Sequence, residues 1–292
     1  MNRGLVLGGG GITGIAWEIG VVFGLAERGV DLRAADRVVG TSAGSVVGAL
    51  VRSELSLEEI YESQIVEETE PIGARMGWGV IFGYVAAAGF GRRHPQDVRA
   101  RIGRLALKVP GSEEERKRIL AARVPLGEWP EGRLLITAVN AETGDPMVFD
   151  RSSGVSLLDA VSASCAVPLV WPPVTINGKR YMDGGARSIA NADLASGCDR
   201  VVVIAPITAA FRKGGRISVQ LARLGPDVRS VIVSPDRESR RAIGRQVLQP
   251  AGRARAAEAG RRQGRQWAER VGDVWTGGNI TAVEVDGRSP AA

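Results

Sequence analysis

The chain has 292 residues, 44% hydrophobic and 24% charged, and its 38 Lys and Arg against 32 Asp and Glu leave a formal net charge of +6. That balance excludes a disordered or collagen-like chain and leaves enough apolar residues for one large α/β core or two small ones. One histidine and two widely separated cysteines, Cys165 and Cys198, exclude a recognisable zinc site and a disulfide framework.

In chain order, the first predicted element is a strand over Gly4-Leu5-Val6-Leu7. It follows Met1-Asn2-Arg3 without the regions of a secretory signal, so a cytoplasmic location is expected. Gly8-Gly9-Gly10-Gly11-Ile12-Thr13-Gly14 then opens a helix running from about Gly14 to Arg28. A second strand, Arg37-Val38-Val39, leads into Gly40-Thr41-Ser42-Ala43-Gly44, and a helix-compatible run continues from Ser45 to Val51. Helical periods recur over 56–67, 95–107, 112–122 and 156–163. The segment 76–91 carries no charge, and its Trp78, Phe82, Tyr84 and Phe90 stand among glycines and alanines. It is too short and glycine-rich to span a bilayer, and reads either as a core helix or as a lid or acyl-chain wall. Leu134 to Val139, Val201 to Ile204 and Val231 to Val233 read as buried strands. Asn177-Gly178 between Val174-Thr175-Ile176 and Lys179-Arg180-Tyr181 predicts a tight hairpin.

A basic helical stretch over about 236–272, with a helical period over 238–270, closes the predicted elements. It reads as a solvated face or as a surface that contacts anionic membrane. Nucleic acid is not an expected partner, because no nucleic-acid fold motif accompanies the charge. Together the elements predict an α/β fold with a central, mostly parallel sheet flanked by helices in three layers. No linker or repeat divides the chain, so a single domain over 1–292 is expected, with a motif-bearing core at about 4–206.

Strand, sharp turn and helix around a G-x-S-x-G motif make Ser42 a candidate nucleophile, with Gly40 and Gly44 allowing the chain to close that tightly. A triad would have to use His94, which precedes Pro95 and reads as a surface or capping residue. The alternative is a carboxylate that takes the serine proton directly, provided burial raises its pKa. Asp183, followed by Gly184 and Gly185, is the best placed, although an Asp-Gly pair also serves simply to organise a turn. The glycine-rich loop fits either a dinucleotide cradle or an oxyanion hole. A dinucleotide needs an acid at the end of the second strand, but Asp36 lies at its beginning and the serine turn occupies its end.

The glycine-rich loop, the Gly40-Thr41-Ser42-Ala43-Gly44 turn and Asp183-Gly184-Gly185, in that order, resemble the patatin-like phospholipases. The likeness extends through Ser162-Ala163-Ser164-Cys165-Ala166-Val167-Pro168, Trp171-Pro172-Pro173 and Tyr181-Met182, and covers 4–52 and 133–206. It implies a Ser-Asp dyad, with Ser42 as nucleophile and Asp183 as base. It also implies an oxyanion hole from the backbone at Gly9, Gly10 and Gly11, supported by Gly14, Gly40, Gly44, Gly184 and Gly185. No metal or cofactor is implied. Many members carry Arg or Lys immediately before the last glycine of the loop, where this chain has Thr13. The expected function is a lipid acyl hydrolase, of phospholipase A or glycerolipid esterase type, acting through an acyl-enzyme. The alternatives are a thioesterase or transacylase on the same dyad, or a non-hydrolytic nucleotide- or lipid-binding protein.

Overall fold

A computed structural model describes residues 1–66, 94–123, 127–210 and 212–277; the segment 76–91, expected as a core helix or as a lid or acyl-chain wall, lies outside the described residues. The chain begins with β1 (Arg3–Leu7), α1 (Gly11–Ala26), β2 (Arg37–Gly40), α2 (Ala43–Val51) and α3 (Leu57–Ile65). Then follow α4 (Pro95–Ala106), α5 (Glu113–Arg123), β3 (Arg133–Asn140), β4 (Pro146–Phe149), α6 (Leu157–Ser164), β5 (Val174–Ile176) and β6 (Lys179–Asp183). The described part ends with β7 (Arg200–Ile204), α7 (Ile217–Ala222), β8 (Arg229–Val233), α8 (Arg237–Ile243) and α9 (Arg253–Thr276). Local chemistry explains several boundaries. Ser56 and Glu59 form a capping box on α3, and Pro95 sits in the first turn of α4, where its missing N–H costs nothing. Asn177 and Gly178 both have positive φ, as the predicted hairpin turn between β5 and β6 requires.

Hydrogen-bonded neighbours in the sheet run β5-β6-β3-β2-β1-β7-β8, with β4 paired to β3 off this path. Strands β3, β2, β1, β7 and β8 are mutually parallel, whereas β4 and β6 run antiparallel to β3. This is the expected mostly parallel α/β sheet. Side chains alternate between its faces. Leu5, Leu7, Val38, Leu134 and Ile136 pack into one core with α1, α2, α6 and α9, and Val6, Val39, Leu135, Val201 and Val203 pack into another with α7.

Helices α1 and α9 meet through paired glycines. A Cβ on Gly20 or Gly24 would collide with the backbone of Ala257 or Arg261, and one on Gly260 or Gly264 with the backbone of Trp17 or Val21. Each helix therefore presents two glycines one turn apart, and the backbones touch where side chains would hold them apart. Arginines of α9 tie down the edges of this contact. Arg261 and Arg265 both bind Glu27 at the end of α1, holding its carboxyl near pKa 2, and Arg253 donates to the carbonyls of Ser63 and Val66 at 2.9 and 2.7 Å.

The basic C-terminal stretch differs from its prediction as one helical period. Gly244, at φ 73° and ψ −173°, ends α8, and Pro250 opens a 3-10 turn before α9. The intervening loop crosses the start of α1, where the carbonyl of Val247 accepts the Thr13 N–H at 3.2 Å. Its arginines are largely engaged within the fold: Arg262, for example, binds Asp236 at 2.6 Å and Glu238 at 3.2 Å.

Candidate active site

The register on β3 brings the two candidate catalytic residues together. Ile136 pairs with both Gly40 and Phe149, so β2 and β4 lie on opposite edges of β3. Ala138 and Val139 pair with both β4 and β6, so β6 shares the edge used by β2. The two strands thus approach end to end along β3, with Gly40 opposite Ile136 and Asp183 opposite Ala138. Both chains must turn away in the gap beside Thr137. One makes the Ser42 turn and the other the Asp183-Gly184-Gly185 turn.

The glycines make both turns possible. A Cβ on Gly40 would lie 2.6 Å from the carbonyl oxygen of Gly44, and one on Gly44 would strike the Leu7 backbone. A Cβ on Gly184 would strike Thr137 Oγ1. At the apex Ser42 adopts φ 53° and ψ −119°, a strained conformation for a residue with a side chain, directly before the N-terminus of α2. Ser42 and Asp183 are both buried, and the Ser42 side chain lies near enough to the Asp183 carboxyl to favour its ionised form. Burial pushes that carboxyl up to about 6, against the opposing influence of the Ser42 side chain and of the Gly185 N–H, which donates to it at 2.7 Å. His94 stands exposed at the N-cap of α4.

Three consecutive residues at the end of α6 brace both turns, and sequence reasoning did not single them out for this role. Ser164 Oγ accepts the Ser42 N–H at 2.9 Å, the Cys165 thiol donates to the Ser42 carbonyl at 3.4 Å, and the Ala166 carbonyl accepts the Asp183 N–H at 2.9 Å. Burial and the nearby Asp183 charge push the Cys165 thiol up to about 12, so it remains a neutral spacer. Arg187 and Asn191 shape the turn after Asp183. Arg187 binds Asp193, and Asn191 reaches the backbone of Gly184 and Ser188.

The glycine-rich loop differs from expectation in two ways. Helix α1 begins at Gly11 instead of Gly14, so Gly10 is its N-cap. The Gly9 N–H donates to the Ile189 carbonyl at 2.8 Å, and the Gly8 N–H is divided between Ile204 O and Glu18 Oε1, so neither faces a substrate. Those two groups extend the hydrogen bonding of β1 past its end, which the glycine pattern does not reveal. The N–H groups of Gly10 and Gly11 have no acceptor among the described residues. Nor does that of Ala43, the residue after Ser42, where oxyanion donors commonly stand. Gly11 has φ 65° and lies against the Val247 carbonyl, leaving no room for a side chain. Thr13 is buried, and its methyl group packs against Gly252, so the loop after α8 fills the space a longer basic residue would need. Beneath the loop, burial holds the Glu18 carboxyl well above the usual range.

The sequence pattern described as Patatin-like phospholipase matches residues 5–196 and so spans β1, the Ser42 turn, the brace and the Asp183 turn in one alignment. The chain belongs to the patatin-like phospholipase family. Its members are lipid-hydrolysing enzymes, and this chain falls in that class. No curated protein matches it. Among solved structures it is similar to VipD from Legionella pneumophila, 16% identical over 92% of this chain and 67% of that one, with a TM-score of 0.48. It is also similar to ExoU of the ExoU–SpcU complex from the Pseudomonas aeruginosa type III secretion system, 18% identical over 92% of this chain and 52% of that one, with a TM-score of 0.40. The patatin-like chain therefore spans about half of the ExoU chain.

Proposed function

We propose that this patatin-like chain is a serine lipid acyl hydrolase in which Ser42 and Asp183 form the catalytic dyad. The observation that carries the proposal is that the strained Ser42 turn meets, beside Thr137, the turn of a buried carboxyl pushed up to about 6. A carboxylate in water is too weak a base for a serine. One destabilised by burial and held beside the serine is better matched to the proton it must take. Ser42 Oγ attacks the ester carbonyl carbon as its proton passes to Asp183. The oxyanion is held by the N–H groups of Gly10 and Gly11, with that of Ala43 beside them, at the positive ends of α1 and α2. Collapse breaks the bond to the alcohol, which leaves with the proton from Asp183. Water then attacks the acyl-enzyme, its proton goes to Asp183, and the fatty acid is released from a restored Ser42.

The half-buried apolar residues Val167, Leu169, Val170 and Trp171, immediately beyond the brace, favour an acyl chain as the substrate's apolar part. Contact with an anionic membrane belongs to this proposal only through exposed arginines outside the ion pairs, such as Arg237, Arg241 and Arg255. The chain is taken as cytoplasmic or peripheral; among the described residues no helix is long and apolar enough to cross a membrane.

The test is hydrolysis of a short-chain chromogenic ester and of mixed phospholipid vesicles by the wild type, Ser42→Ala and Asp183→Asn. Both substitutions should lower turnover by about three orders of magnitude. Activity that survives Asp183→Asn removes Asp183 as the base, and activity that survives Ser42→Ala removes the nucleophile.

A further inference from the structure

Ser42 and Asp183 are 141 positions apart in sequence, and one side-chain amide touches the turn that carries each of them. Asn191 Nδ2 lies 3.0 Å from Oγ1 of Thr41, the residue before Ser42, and 3.4 Å from the carbonyl of Gly184, the residue after Asp183. It is also 3.3 Å from Thr137 Oγ1, in the gap where β2 and β6 meet, and 2.8 Å from the Ser188 carbonyl. Thr137 Oγ1 donates to Thr41 Oγ1 at 2.9 Å, so the amide and two hydroxyls form one buried cluster behind the dyad.

The amide cannot turn over. Arg187 Nη1 reaches Asn191 Oδ1 at 2.6 Å, and a guanidinium only donates, so the oxygen faces Arg187 and the NH2 faces Thr41. Arg187 is itself held by Asp193, at 3.0 Å through Nη1 and by a second contact through Nη2. The residue type follows from the backbone. Asn191 sits at φ 52° and ψ 42°, a left-handed conformation that glycine, asparagine and aspartate tolerate best. Of these three, only asparagine has a side-chain N–H.

We infer that Asn191, oriented by Arg187, is a positioning residue that sets the distance and angle between the Ser42 and Asp183 turns. This rests on the dyad reading above. It concerns kcat and not substrate affinity, because the amide lies behind the two turns, buried away from solvent. A shift of about 1 Å between reacting groups costs up to about 100-fold in rate.

The experiment compares wild type with Asn191→Leu, Asn191→Asp and Arg187→Met. A short soluble ester gives kcat and KM, and a fluorophosphonate that labels an active serine counts competent sites. Asn191→Leu keeps the shape and removes every hydrogen bond of the amide. Its kcat per labelled site should fall about 10- to 100-fold while KM stays within about twofold. Asn191→Asp, whose carboxylate can still face Arg187 and accept from a threonine hydroxyl, should recover part of that loss. If Asn191→Leu does not fold, Arg187→Met carries the test. It leaves Asn191 in place with its orienting partner gone, and kcat should fall without a matching change in KM. Unchanged kcat per labelled site, with only a lower melting temperature or fewer labelled sites, overturns the positioning role. A folded wild type that neither hydrolyses nor labels at Ser42 removes the dyad reading, and the positioning role with it.

Discussion

At the scale of single residues, Asp183 makes the fold and the chemistry oppose one another. Unfolded, an aspartate titrates near about 3.9; in the fold, burial moves Asp183 to about 6. Its ionised form is therefore disfavoured in the native state. The stability it contributes is fully present below the unfolded value and is lost as the pH rises through about 6. For two units or so, the loss amounts to about 3 kcal/mol. The proposed dyad needs Asp183 ionised, so kcat should fall as the pH drops through about 6. Asp183→Asn separates the two effects. Its melting temperature should exceed that of the wild type at pH 8 and match it near pH 4, while hydrolysis is lost at both. A difference in melting temperature that does not change with pH would refute the linkage. Ser42 and Asp183 were legible in the sequence because each stands in a glycine-marked turn. The bridges made by Ser164 and Asn191 were not, since they are hydrogen bonds spanning 122 and 150 positions, and an isolated serine or asparagine carries no such signal.

At the scale of elements, the contact between α1 and α9 decides how rigidly the glycine-rich loop is held, because Gly10 and Gly11 form the first turn of α1. Alanine at Gly24 or Gly264 would meet backbone and not a yielding side chain. We predict a loss of about 1–3 kcal/mol or more for either, seen as a lower urea midpoint, whereas Gly197→Ala, whose added methyl meets nothing, should cost only the strain of its φ of 85°. Equal costs at Gly24 and Gly197 would mean that the two helices separate freely. Hydrophobic periodicity located α1, the parallel strands and the β5–β6 hairpin. It did not find β4, whose four residues Pro146–Phe149 are too short and too exposed to alternate. It also read through the break between α8 and α9, because the apolar spacing hardly changes across Gly244. The glycine pairs stayed hidden for a related reason. Read alone, a glycine inside a helix only lowers helix propensity, and its use depends on the helix facing it.

At the scale of the molecule, the family pattern stops at residue 196, but the site does not. Strand β7 hydrogen-bonds β1, the Ile204 carbonyl accepts the Gly8 N–H, Pro206 packs on Gly10 and Gly14, and Val247 closes over Gly11. We propose on this ground that the residues from β1 through α9 fold as one unit. A chain cut after residue 196 should be insoluble or inactive, and one cut after Gly252 should lose cooperative unfolding together with ester hydrolysis. An active fragment ending at 196 would confine the working domain to the family pattern. The position of β1 between β2 and β7 has a further consequence for a chain made from its N-terminus onward. Strand β1 leaves the ribosome before either neighbour and gains the second, β7, only once residue 204 is made, and the helix that clamps α1 emerges later still. At about 5–20 residues per second, the stretch from Ser42 to the end of α9 takes on the order of ten seconds to a minute to appear. For that interval Ser42 has been made but β7 and α9, which hold the Gly10–Gly11 turn, have not, so on the proposed mechanism the nascent chain is inactive.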